Sequence, residues 1–184
     1  MKKDLNISNF SSLLHPFQGT LLTIKGPSNQ DNIIAIAWIM PVSNSPPALI
    51  FAIRKERYSF GLLQESKAFV VNIPTIDLID SVFFSGTKSG KFFDKFKETG
   101  LTKGHAKVLD VPIIEECIGQ IECTVREIVD IGLDHVLVIG NVFACYAEDH
   151  YFDKKWRTEK VKLLLHLGGD SFTTNTKKIY RPKV

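Results

Sequence analysis

The chain is 184 residues long, 44% hydrophobic and 23% charged, with a formal net charge of +3, the profile of an ordinary globular chain. So slight a positive balance does not imply a general nucleic-acid surface, although a pI near 8.7 leaves room for one basic pocket. No apolar run approaches the roughly 20 residues that span a bilayer, and the lysines of Met1–Asn6 have no apolar stretch behind them, so neither a membrane anchor nor a signal peptide is expected.

In chain order, Gln18 to Lys25 alternates as a strand does, and Gly26-Pro27-Ser28-Asn29 turns the chain. Asn32 to Met40 is a continuous apolar, β-rich run and predicts one strand buried on both faces. Pro41-Val42-Ser43-Asn44-Ser45-Pro46-Pro47 ends it, because proline removes ladder donors. Ala48 to Arg54 predicts the next strand, Tyr58 to Lys67 a short helix and Ala68 to Ile73 another strand. A helix follows from Pro74-Thr75 through Phe84, then a Ser-Gly loop, then a second helix from about Lys91 to Thr99 with Gly100 as its C-cap. Gly119 to Ile131 and His135 to Tyr146 predict a long hairpin around Gly132, and Val161 to Leu167 a further strand before Gly168-Gly169. Mostly antiparallel strands with helices grouped in the middle predict a mainly β chain: one domain over 1–184, a β-barrel or curled sheet with a helical insertion at about 74–100.

Cys117, Cys123 and Cys145 form no close pair and stand in apolar segments, so reduced, buried thiols and a cytoplasmic location are expected. The five histidines have no metal-ligand spacing and no serine sits in a nucleophile elbow, so hydrolytic and metal chemistry find no support. The stretch Ser85-Gly86-Thr87-Lys88-Ser89-Gly90-Lys91 supplies small hydroxyls, backbone N–H groups and positive charge, which is what a phosphate needs. It is neither a Walker loop nor a dinucleotide fingerprint, and a plain helix–helix turn with solvated lysines competes with the phosphate reading. Arg54, Arg57 and Ser59, where a strand gives way to a helix, suit an anion for the same reason.

Asn32 with Trp38 and Pro41-Val42-Ser43-x-x-Pro46-Pro47, then Arg54 to Ser59, Phe69 to Pro74, Ser85-Gly86-x-x-Ser89-Gly90-x-x-x-Asp94-Lys95-Phe96 and His166-Leu167-Gly168-Gly169, together resemble the flavin reductase-like family, in particular its flavoredoxin type. That resemblance implies a split β-barrel that binds FMN non-covalently, as a homodimer with the flavin near the interface. Carried over residue by residue, Asn32, Ala37, Trp38, Ile39, Val42 and Ser43 are implied beside the isoalloxazine ring. Arg54, Ser59, Ser85, Ser89 and Lys95, with Gly86 and Gly90, are implied at the phosphate, Asn72 on a strand facing the same pocket, and His166 nearby. No catalytic side chain is implied, since the flavin supplies the redox chemistry. The resemblance leaves two functions open: an oxidoreductase with NADH or NADPH as electron donor, and an electron carrier that serves a redox partner protein without small-molecule turnover. Neither a membrane nor a nucleic-acid partner is expected.

Overall fold

The computed structural model describes residues 1–27 and 30–182; the predicted turn residues Ser28 and Asn29, and the last two residues of the basic tail, lie outside them. Seven antiparallel strands form the main sheet: β1 (Thr20–Ile24), β2 (Asn32–Ile36), β3 (Ile39–Asn44), β4 (Pro47–Arg54), β5 (Ala68–Ile73), β6 (Gly119–Val129) and β7 (His135–Ala147). Their spatial order is β2-β1-β5-β6-β7-β4-β3. Strands β2 and β3 therefore occupy opposite edges, yet only Ala37 and Trp38 separate them in sequence. Laid flat, seven strands would hold their edges about 29 Å apart, while the link from Ile36 to Ile39 reaches at most about 11 Å. The sheet has to curl until its edges nearly meet, which makes it a barrel with one unpaired seam.

This topology corrects the expectation of one strand from Asn32 to Met40. The run is continuous in composition, but its first half pairs with β1 and its second half with β4, and hydropathy does not register a change of partner. Strand β3 also runs through Pro41 rather than ending there, because an edge strand has a free side on which a missing N–H costs nothing. Burial on both faces holds for β2. Ile34 and Ile36 point into the barrel with Leu22, Phe51, Phe69 and Val138, while Ile33 packs outward with Leu21, Val82, Phe96 and Leu164.

That outer cluster seats the helical segment. Helix α1 (Tyr58–Ser66) follows β4 and stops at Lys67, which takes a left-handed conformation with φ 54°. After β5, a short 3-10 turn (Ile76–Leu78) leads into α2 (Ile79–Thr87), and α3 (Lys95–Thr99) is capped by Asp94, which accepts from Lys97 N–H at 3.2 Å. Gly100 closes α3 with φ 70°, as expected. Helix α2 runs three residues further than its sequence suggested, so Ser85 and Gly86 lie in its last turn and the loop begins at Lys88. A Cβ on Gly86 would stand 3.3 Å from Ala35 Cβ of β2. The glycine lets the helix approach the sheet, rather than breaking the helix. A further small sheet joins Phe17–Gln18, Leu165–Gly168 and Ser171–Thr173, the middle of these being shorter than the predicted Val161–Leu167 strand. Among the described residues no helix is long and apolar enough to cross a membrane.

Buried polar groups tie the periphery to the barrel. Asn72 Oδ1 accepts from Ile114 N–H at 3.0 Å while its amide donates to Leu21 O at 3.1 Å. Glu122, fully buried, accepts from the N–H groups of Lys107, Val108 and Leu109 at 2.7, 3.0 and 2.8 Å. Burial alone would raise its pKa, but those three donors and the Tyr146 hydroxyl outweigh it and hold the carboxyl below its ordinary 4.5. A depressed carboxyl stabilises the fold above the unfolded pKa and loses that contribution as pH falls through the folded one. Urea unfolding should therefore show Glu122→Gln losing about 2 kcal/mol at neutral pH, with the gap to the parent narrowing below pH 4.5.

Candidate functional site

Two adjoining clefts open along the seam, and Ile34, Arg57 and Gly86 line both. The smaller, of about 100 Å³, lies between the start of α1 (Arg57, Tyr58, Ser59), the last turn of α2 (Ser85, Gly86), the loop Lys88–Gly90 and Lys95. The larger, of about 490 Å³, is walled by Ala35 to Trp38, by Ala52 to Arg54, by Val82 and Phe83 of α2, and by His15, His135, His166 and Phe172.

Donors dominate the small cleft. Ser85 is 1% exposed and its Oγ has no partner among the described residues. Ser59 sits in the first turn of α1, where unpaired N–H groups and the helix dipole favour an anion. Lys95, 3% exposed, donates from Nζ to Ile33 O and Ser85 O, each at 2.7 Å. Burial, then the neighbouring Arg57 charge, lowers its pKa to about 8. A buried hydroxyl without a partner costs free energy unless something accepts from it. A phosphate group supplies acceptor oxygens and the negative charge that Arg57 and Lys95 lack, so the residues present fit one.

The larger cleft combines an apolar side with an aromatic rim. One side is apolar, from Ile34, Ile36, Val82 and Phe83. At its mouth Trp38 lies 5.1 Å from the His135 ring at 34°, and His135 Nδ1 is 2.9 Å from Asp134 Oδ1. At the other end His15 Nδ1–H donates to His166 O at 2.8 Å, and His166 Nε2–H to Gly169 O at 3.1 Å. Carbonyls only accept, so these two bonds fix the proton-bearing nitrogen of each ring. Gly168 and Gly169, at φ 111° and 58°, make the turn that brings Phe172 back opposite His166.

The structure sorts the expected site residues. Ala37, Trp38 and His166 line the larger cleft; Ser59, Ser85, Ser89, Gly90 and Lys95 line the small one; Gly86 borders both. Arg54, expected at the phosphate, lines the larger cleft instead, 3.4 Å from Asp134, and Arg57 takes its place in the small one. Asn32, expected beside the ring, stands at the small-cleft end, with Nδ2 donating to Ser59 Oγ at 2.7 Å. Ile39, Val42 and Ser43 border neither cleft, because β3 leaves the corner along the outer edge. Asn72 borders neither, its amide being engaged in the core. Sequence reasoning passed over His15, His135 and Phe172. The signal for His135 was its place at the start of a long strand just after the hairpin; it pairs with Arg54 at the end of β4.

The fold is a split β-barrel carrying helices along its seam. Residues 14–171 match the flavin reductase like domain model, and the chain belongs to that family. An uncharacterized protein of Archaeoglobus fulgidus is 34% identical over 96% of this chain and 98% of its own. Among solved structures, a flavoredoxin of Methanosarcina acetivorans is 25% identical with a TM-score of 0.85, covering 98% of this chain and 95% of that one. The flavoredoxin of Desulfovibrio vulgaris (Miyazaki F) is 22% identical with a TM-score of 0.87, covering 98% and 97%.

Thermal denaturation tests the small cleft directly. Millimolar phosphate should raise Tm more in the parent than in Ser85→Asp, which sets a carboxylate beside the anion; the general salting effect of phosphate is common to both. An equal rise in the two proteins would put the anion elsewhere.

Proposed function

We propose that the chain holds FMN non-covalently, with the phosphate in the small cleft and the isoalloxazine ring in the larger one, and works as a flavin reductase-like oxidoreductase fed by NADH or NADPH. The observation that carries this reading is the buried, unpartnered Ser85 hydroxyl in a cationic cleft that adjoins an apolar, aromatic-rimmed one. When bound, the flavin supplies the hydride and electron-transfer chemistry. The chain's own residues do the rest. Ser59, Ser85, Ser89, Arg57 and Lys95 fix the phosphate end, which sets how deep the ring lies. Ile36, Ala37, Val82 and Phe83 keep water from one side of it, while Trp38 and His135 flank the open mouth, where a donor or acceptor must approach. The likeness to two flavoredoxins favours a second reading, an FMN electron carrier that passes electrons to a partner protein.

A homodimer belongs to this proposal. The N-terminal 3-10 helix (Ile7–Leu14) buries none of its residues, and Ile7, Phe10, Leu13, Leu14, Met40 and Val42 are exposed, apolar surface that a second copy would cover. Light scattering on the eluted protein should return twice the chain mass.

Purified protein should be yellow, and mass spectrometry of the released cofactor should give FMN; colourless protein that stays so after incubation with FMN and dialysis defeats the proposal. Stopped-flow mixing with NADH or NADPH separates the two functions, since bleaching on a catalytic timescale supports the reductase and its absence the carrier. Affinity for FMN should also depend on pH. A phosphate monoester gains its second charge near pH 6, and Lys95 loses its own near pH 8, with Arg57, Lys88 and Glu56 lining the same cleft. Binding should be tightest between those values and weaken as pH rises past 8, and Lys95→Met should flatten the alkaline limb.

A further inference from the structure

Asn32 stands behind the small cleft without lining it. It is 3% exposed, opens β2, and its amide reaches Ser59 Oγ at 2.7 Å. A serine hydroxyl carries one proton; having accepted the amide, Ser59 still has that proton to give, and no acceptor among the described residues takes it. Gly90 closes the other side of Asn32. A Cβ there would overlap Asn32 Oδ1 and come within 3.2 Å of Tyr58 Cδ1, so this glycine is what lets the loop lie against the amide. In this orientation Asn32 Oδ1, set against Gly90, is left without a partner among the described residues; the reverse orientation would leave Nδ2 there instead and make Ser59 donate to Oδ1, with no proton left for a ligand. An anion accepting the Ser59 proton would favour the observed orientation, with Nδ2 on Ser59.

We infer that Asn32 is a positioning residue for phosphate: it touches no ligand, but turns the Ser59 hydroxyl into a dedicated donor and so makes the small cleft select a phosphate monoester over the dephosphorylated flavin. The inference rests on the FMN reading above and assigns the selectivity of that site. Ser85 Oγ, with no partner, and Lys95 Nζ, with two of its three N–H bonds spent on backbone carbonyls, complete a set of donors without acceptors. A ribityl alcohol could replace one such bond, whereas a dianion meets all of them and the charge besides.

Flavin fluorescence titrations with FMN and with riboflavin test this on the parent, Asn32→Ala, Ser59→Ala and the double variant. Asn32→Ala should weaken FMN about ten-fold, the scale of one hydrogen bond to a charged group, and leave riboflavin within about two-fold, the error of such cycles. Ser59→Ala should cost about the same, and the double variant should bind FMN no worse than Ser59→Ala within that error, because Asn32 acts through Ser59. Additive losses, or an equal loss for riboflavin, overturn the inference while leaving the FMN reading intact. If circular dichroism shows Asn32→Ala unfolded, Asn32→Asp serves: it keeps the shape, has Arg57 and Lys95 nearby to offset its charge, and takes the Ser59 proton. It should abolish FMN binding and keep riboflavin binding, and retained FMN affinity overturns the inference. A parent that binds neither flavin defeats the FMN reading itself, and this inference with it.

Discussion

A seven-stranded sheet whose two edge strands are joined by two residues cannot lie flat, and the rest of the molecule follows from that short link. Curling brings the end of β2, the end of β4 and the start of β7 round Ala37 and Trp38, which is why Arg54, His135 and Trp38 meet although they are distant in sequence. The same geometry leaves β2 and β3 unpaired with each other. A barrel that closes fully fills its interior and has no edge. This one keeps a seam, and the seam is where the two clefts open.

The helical segment gathers hydrogen-bond donors and basic side chains at the seam. Helix α2 ends against β2 where a Cβ on Gly86 would crowd Ala35, and Lys95 bridges the two elements by donating to a carbonyl on each. An ammonium spent on two carbonyls is an expensive tie, as its lowered pKa records. A buried aliphatic chain would join helix and sheet at less cost. The charge gains a use only beside a group of opposite sign, and Lys95 shares its cleft with Arg57, Ser59, Ser85 and the acidic Glu56.

Much of this was legible in the sequence, and the failures share a cause. Elements governed by local chemistry read well: the Gly100 cap, the hairpin at Gly132, the strand over Ala68–Ile73. The Ser85–Lys95 stretch carried two readings, an anion site and a plain helix–helix turn, and composition alone did not choose between them. What failed depended on partners distant in sequence. The run from Asn32 to Met40 changes neighbours halfway without changing composition. Gly86 was read as part of a loop, and only Ala35 across the interface shows why a glycine stands in the last turn of α2. Asn72 and Asn32 are both polar residues on apolar strands, yet one ties the core together and the other backs a cleft; what separates them is Ile114 in one case and Ser59 in the other. His166 was expected near the pocket through its motif, whereas His15 and His135 were weighed only as metal ligands by their spacing, and a fold that gathers all three along one cleft ignores spacing.

The small cleft draws its walls from Arg57–Ser59, from Ser85 and Gly86, from the loop at Lys88–Gly90 and from Lys95. Any ligand seated there behaves as a removable staple across the chain from α1 to α3, and its binding free energy adds to that of folding. Losing it would remove its ties to the end of α2 and to the loop before α3. Segments loosened in this way are where proteases act. The lifetime of the polypeptide in a cell would then track the supply of its small-molecule partner, with scarcity thinning the protein by turnover before it lowered the activity of each copy.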